Sequence, residues 1–247
     1  MNKLSIVIPV FNKWNFTKSC LNDLMQLSSD HEIIIIDNGS SDETNIEISK
    51  LDKDFNQLKN GKAGLAYYRF EENQGFAKGC NKGYQISTGN NIIFINNDIR
   101  VKSKHENWTQ IILDSIKENT LVGPTGGMID PINFQFLYET RDPNKPKNYM
   151  SGWCLAASRS TWEKLHIPRI DGKRGAQIFS EEFFCYFEDT DLGFRASKLS
   201  IEFRLVDIPV VHFGKITSGQ ISTHKLYSEA RKIFITKWSG KNHDITK

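Results

Sequence analysis

With 247 residues, the chain is the size of one α/β domain and long enough to bury a substantial core. Hydrophobic residues make up 38% and charged residues 25%, an ordinary globular composition that excludes a disordered chain. A formal net charge of +3 is too small to point to nucleic acid or a strongly acidic substrate, so no nucleic-acid partner is expected.

The N-terminus enters an apolar, strand-like run, Leu4 to Val10, after three residues; a signal peptide needs a longer apolar stretch and a small-residue cleavage site, so none is expected. Short apolar runs then alternate with helix-like segments. Ser5–Val10 reads as a strand and is followed by a helical pattern from about Trp14 to Leu27. Glu32–Asp37 is a second strand, continuous enough in apolar character to be buried on both faces. A helix from about Asp42 to Asp54 follows, then a strand over Ala63–Phe70, a helix over Phe76–Ile86 and a strand over Ile92–Asn96. This rhythm predicts a mostly parallel central sheet flanked by helices.

The second half is less regular. Pro124, Pro131, Pro143 and Pro146 fall close together, and Asp130–Asn148 reads as an irregular surface excursion, a candidate binding loop or lid. It carries the aromatic residues Phe134, Phe136 and Tyr138, with Tyr149 just after it. Beyond it lie a strand-like Trp153–Ala157, an acidic segment Glu188–Asp191 and a last strand near Ile208–Phe213.

At the C-terminus, Leu226, Tyr227, Ala230, Ile233, Phe234 and Trp238 recur at helical spacing among Lys225, Arg231, Lys232 and Lys237. Such a basic amphipathic helix can make peripheral membrane contact, but packing its apolar face on the domain is the commoner arrangement and the one expected. No run of about 18 apolar residues occurs, so no membrane span is expected. Cys20, Cys80, Cys154 and Cys185 form no CxxC pair, which predicts reduced, buried thiols in a cytoplasmic protein.

In a parallel sheet, ligands bind beyond the carboxyl ends of the strands. Those ends carry Pro9-Val-Phe-Asn12, Asp37-Asn-Gly-Ser-Ser-Asp42, Glu72-Asn-Gln-Gly-Phe-Ala-Lys-Gly-Cys-Asn-Lys-Gly83 and Asn96-Asn-Asp98. Singly, each is adequate as a turn or a helix cap. Together they set carboxylates, amides and glycines along one sheet edge, which turn-making alone does not require.

With these motifs the sequence resembles family 2 glycosyltransferases of the GT-A fold, and within them a rhamnosyltransferase-like branch. The most specific pieces are Asn73-Gln-Gly-Phe-Ala-Lys-Gly-Cys-Asn81 and Phe184-Cys-Tyr-Phe-Glu-Asp-Thr-Asp-Leu-Gly-Phe-Arg195. The resemblance implies one domain over residues 1–247. Residues 1–100 would bind a UDP- or dTDP-linked sugar, 101–220 would hold the acceptor and catalytic groups, and 221–247 would form the amphipathic helix. It implies that Pro9, Val10, Phe11, Asn12, Asp37, Asn38 and Gly39 line the base and ribose. Gly75 and Gly79 would let a helix start approach the diphosphate, and Asn73, which also suits a helix cap, and Asn81 join that set.

Asn96-Asn97-Asp98 falls where the family carries Asp-x-Asp. The resemblance makes Asp98 the main ligand of a divalent cation, Mn2+ or Mg2+, while Asn96 contributes no charge. His212 is either a second ligand or a structural histidine. By the same matching, Asp189 is the base of an inverting transfer to a hydroxyl of a glycan or lipid-linked glycan, and Glu188 contacts the acceptor or tunes Asp189. Gly152 and Trp153 line the sugar pocket, with a core role for Trp153 equally compatible.

A nucleotidyltransferase would carry a basic, glycine-rich loop after the first strand, and a dinucleotide-binding dehydrogenase G-x-G-x-x-G; Pro9-Val-Phe-Asn-Lys fits neither. The rival reading is a degenerate member that binds nucleotide sugar or glycan without turnover.

Overall fold

The computed structural model describes residues 3–27, 30–58, 63–102, 107–169, 172, 176–214 and 223–240. The first half runs β1 (Leu4–Val10), α1 (Trp14–Met25), β2 (His31–Asp37), α2 (Thr44–Leu58), β3 (Ala63–Arg69), α3 (Gly75–Ile86) and β4 (Asn91–Ile95). The expected alternation is present there, with small differences at the element ends.

The second half holds β5 (Ile99–Val101), α4 (Trp108–Ser115), β6 (Thr120–Gly123), β7 (Gly126–Ile129), β8 (Phe136–Thr140), β9 (Tyr149–Met150) and β10 (Cys154–Ser158). It continues with α5 (Arg159–Lys164), β11 (Ile167–Pro168), β12 (Ala176–Gln177), α6 (Glu188–Lys198), β13 (Glu202–Leu205), β14 (Val210–His212) and α7 (Thr223–Trp238).

Seven strands form the central sheet in the order β13-β6-β10-β4-β1-β2-β3. Pairing is parallel except at β10, which runs antiparallel to both β4 and β6. Every residue of β1 and β2 is buried, as their unbroken apolar runs require of strands covered on both faces. Each fully buried isoleucine or leucine there contributes about 1.5–3 kcal/mol. The in-register pairing of Val10 with Asp37 brings the carboxyl ends of β1 and β2 to one edge. Because β10 is antiparallel, its amino end arrives at that same edge, with Cys154 opposite Ile95.

α3 packs against β1 through glycines spaced four apart. A Cβ at Gly79 would stand 3.2 Å from the Pro9 side chain, and one at Gly83 would overlap the Val7 side chain. These glycines let a helix backbone lie close over a β-branched strand.

The expectation of an irregular surface excursion over Asp130–Asn148 holds for 130–135 and 141–148, which are turn and loop, and is corrected for Phe136–Thr140. β8 pairs antiparallel with β7, and β9 completes a three-stranded sheet. Pro131, Pro143 and Pro146 lie outside β8, so none removes a hydrogen bond from it.

α7 buries Ala230, Phe234 and Trp238 in a cluster with Ile129, Phe134, Tyr149, Phe183, Phe187 and Phe194. Its apolar face is thus spent on the fold. Residues 221–222 and 241–247 of the expected C-terminal segment lie outside the described residues. Among the described residues, no helix is long and apolar enough to cross a membrane.

Candidate active site

A cavity of about 540 Å³ opens at the carboxyl edge of the sheet, a size suited to a small-molecule ligand. Of the residues expected at the site, Pro9, Val10, Phe11, Asn38, Asn73 and Gly75 line it. So do Asn96, Asn97, Asp98, Trp153 and His212. Asn12, Asp37, Gly39, Asn81, Gly152, Glu188 and Asp189 do not form its lining.

The structure gives these last residues other partners. Asp37 is fully buried; its oxygens accept from Ser40 N at 2.8 Å and Tyr67 Oη at 2.9 Å, with Arg69 Nε 3.3 Å away. Asn12, at a left-handed φ of 56°, accepts from Ser41 N at 2.7 Å and braces the turn after β2. Gly39 sits where a Cβ would meet the Glu72 backbone at 2.8 Å. Asn81 clips α3 to the segment before α6, accepting from Ile178 N and Phe179 N and donating to Phe179 O. Asn38 is the residue of this turn that faces the cavity, and its buried Oδ1 has no hydrogen-bond partner.

The start of α3 is also committed to protein. Gly75 N donates to Asn73 Oδ1 at 2.9 Å and Phe76 N to Phe184 O at 2.9 Å. Gly75, at φ 84°, has no room for a Cβ beside Phe184 O. The glycine expected to face a diphosphate therefore pins the loop that leads into α6.

β14 pairs with β5 so that His212 lies opposite Ile99, one residue beyond Asp98. His212 Nε2 is 3.1 Å from Asp98 Oδ1 and 3.1 Å from Asn96 Nδ2, and its ring stacks on Trp153 at 4.8 Å. One face of Trp153 is thus occupied by imidazole. When Nε2 accepts from the Asn96 amide it has no proton to give, and Asp98 Oδ1 is left buried without a hydrogen-bond partner. A divalent cation would fit between that carboxylate oxygen and the imidazole nitrogen once the Asn96 amide gives up its hydrogen bond and frees the Nε2 lone pair. Among the described residues there is no group of three or more His, Cys, Asp and Glu that could hold a metal. The fit is therefore to a cation that completes its shell with ligand and water oxygens.

On the α6 side, Tyr186 and Phe187 take consecutive left-handed conformations, φ 74° and 67°. Such strain in non-glycine residues costs on the order of 1–3 kcal/mol each and concentrates at functional sites. It turns Glu188 and Asp189 into the first turn of α6. Asp189 is half-buried, accepting from Gly152 N at 2.9 Å and Thr190 N at 2.7 Å, directly behind the cavity-lining Ser151 and Trp153. Burial raises its carboxyl above the ordinary range, and the charge of Glu139 adds to the effect. Burial, then the neighbouring Asp189, pushes Glu188 up to about 8, and its Oε2 has no hydrogen-bond partner.

Asp191, third carboxylate of the segment, is scaffold. It is fully buried between Arg195 Nε at 3.0 Å, Trp238 Nε1 at 3.0 Å and Lys237 Nζ at 3.1 Å. Cys20, Cys80 and Cys154 are buried free thiols as expected, whereas Cys185 is partly exposed in the cavity wall. Sequence reasoning missed Glu139, Tyr186 and Leu226 in that wall. Tyr186 lies within the motif already singled out. Glu139 was hidden by the unread hairpin, and Leu226 reaches the wall only through the docking of α7.

A model of the family described as glycosyl transferase family 2 matches residues 5–167. An uncharacterized glycosyltransferase of Bacillus subtilis, YfnE, is 31% identical over 85% of this chain and 64% of its own. The chain spans between 13% and 64% of the length of the related glycosyltransferases it matches. Among solved structures, GalNAc-T7 with UDP, GalNAc and Mn2+ has a TM-score of 0.68 at 15% identity, covering 94% of this chain and 47% of that one. Glucosyl-3-phosphoglycerate synthase from Mycobacterium tuberculosis, with Mg2+ and UDP, has a TM-score of 0.61 at 14% identity, covering 98% and 81%. These likenesses show the α/β, GT-A-like fold.

Proposed function

Because the chain belongs to glycosyl transferase family 2, we propose that it transfers a sugar, with inversion, from a UDP- or dTDP-linked donor to a hydroxyl of a glycan or lipid-linked glycan. The observation that carries this reading is the cavity itself. It brings the converging Asp98 and His212 to the same sheet edge as Gly152, whose amide holds Asp189. The transferred sugar belongs to the hexoses and deoxyhexoses, with rhamnose among them from the sequence resemblance.

Each side chain has a defined task. Pro9, Val10, Phe11 and Asn38 face the nucleotide, with the unpartnered Asn38 Oδ1 free to accept from an imide N–H of the base. Asp37 acts one layer back, holding the turn that presents Asn38. Asp98 and His212 would hold Mn2+ or Mg2+, and the cation would neutralise charge on the departing diphosphate. Asp189 takes the acceptor proton as the acceptor oxygen bonds to the anomeric carbon. The bond from that carbon to the diphosphate oxygen breaks, and its electron pair leaves with the diphosphate. Residues 1–100 carry the donor side of this arrangement and 101–220 most of the acceptor side.

The test is a thermal-shift screen of UDP- and dTDP-sugars with and without Mn2+, on the wild type and Asp98→Ala. Metal-dependent stabilisation by one donor, lost in the variant, is expected. Equal stabilisation of both proteins would remove Asp98 from the cation site. Donor binding with no turnover in the presence of acceptor glycans would favour a non-catalytic binding module instead.

A further inference from the structure

The wall of the cavity contributed by the three-stranded sheet carries one charged side chain, Glu139 of β8. It is exposed, and no hydrogen bond or ion pair joins its carboxylate to a described residue. Its place is set by register. Glu139 pairs with Gly127 of β7, and Gly127 pairs in turn with Tyr149 of β9, so the three form one cross-strand row whose side chains share a face. Gly127 leaves that row open at its middle, and a Cβ there would overlap the Tyr149 hydroxyl.

The row is fixed to the base-bearing helix. α6 lies so close over β9 that a Cβ on Gly193 would meet Asn148 O at 2.5 Å and Tyr149 Cα at 2.6 Å. Burial, followed by the charges of Asp189 and Glu139, pushes the Tyr149 phenol up, which puts both carboxylates within electrostatic reach of one hydroxyl.

We propose that Glu139 determines acceptor choice: it binds a hydroxyl of a polyhydroxylated acceptor beside the reacting one and rejects acceptors that carry an anion there. This inference rests on the transferase reading above. A carboxylate only accepts hydrogen bonds, so it selects a hydroxyl or an ammonium group. With Asp189 already on this side, an anionic substituent meets two like charges, a repulsive element of the kind that makes a site selective.

The experiment measures transfer, from the donor found by thermal shift, to aryl hexosides, aryl hexosaminides and aryl hexuronides. Wild type is compared with Glu139→Gln and Glu139→Ala, and donor hydrolysis is followed in parallel. Wild type is expected to use the neutral or amino glycosides at least about tenfold better than the uronides, the scale set by one hydrogen bond to a charged group. Both variants should raise the acceptor KM and narrow that gap, with donor KM unchanged. An unchanged acceptor KM, equal use of the uronides by wild type, or no transfer to any glycoside of the set would overturn the proposal. Absence of donor binding in the wild type would instead overturn the transferase reading on which it rests.

Discussion

Asp189 and Glu188 are sequence neighbours with different surroundings, and their environments assign them different behaviour. Asp189 keeps two backbone N–H donors, which hold a carboxylate in place while leaving lone pairs for a proton. Asp189→Asn preserves shape and removes basicity. It should lower kcat by about 100- to 10,000-fold with donor affinity nearly intact; steady-state kinetics beside donor thermal shifts would check this, and a lost donor shift would show the role is wrong. Because burial raises its pKa, the acid limb of kcat/KM should lie above the ordinary aspartate value of about 3.9. Glu188 is buried with an unpartnered oxygen and a pKa of about 8, so the folded protein holds a proton that the unfolded chain releases near 4.5. Between those values the folded state binds more protons, and stability falls as pH rises. Glu188→Gln, which mimics the protonated form, should raise Tm little at pH 4 and most at pH 8 and above. A Tm difference independent of pH would contradict a buried neutral carboxyl here.

At the scale of elements, α3 and α6 are held by small or charged residues rather than by apolar area alone. Gly83 faces Val7, whose β-branched side chain on a fully buried strand cannot turn aside cheaply. Gly83→Ala should therefore destabilise by about 1–3 kcal/mol through overpacking, although alanine is the better helix former. Urea unfolding would measure this, and a stabilised variant would mean that β1 yields. α6 and α7 are joined at Asp191, which bonds Arg195 of its own helix and Lys237 and Trp238 of α7. Asp191→Ala leaves the Arg195 guanidinium without its buried carboxylate, while Lys237 keeps Glu182 at 3.0 Å, and should cost about 3–5 kcal/mol, readable in the same unfolding experiment. Since Leu226 and the Tyr186 loop both border the cavity, donor or acceptor KM should shift with it.

For the whole molecule, the sheet decides which distant residues meet. β10 is the strand that runs against its neighbours, and its reversal delivers Ser151 and Trp153 to Asn96, whose N–H bonds Trp153 O at 2.9 Å. The sequence by itself determined the parallel core, because unbroken isoleucine runs such as Ile33–Ile36 have no other economical burial. It also marked the strand ends where polar residues collect, and the pairing of acidic residues at the start of α6 was legible as a motif. Which of those residues face the cavity was decided only in three dimensions. Asp37 and Asn38 are adjacent, yet the strand pleat sends one inward to Ser40, Tyr67 and Arg69 and the other into the cavity. Asp189 and Asp191 part as well: Asp189 accepts from Gly152 N behind the cavity wall, whereas Asp191 is buried between Arg195, Lys237 and Trp238. Glu139 joins the cavity through a three-strand register whose middle residue is glycine, and His212 reaches Asp98 through a two-strand pairing across more than a hundred residues. Periodicity records burial along a segment, whereas convergence of side chains from separate segments follows from sheet order and register, which local sequence does not encode.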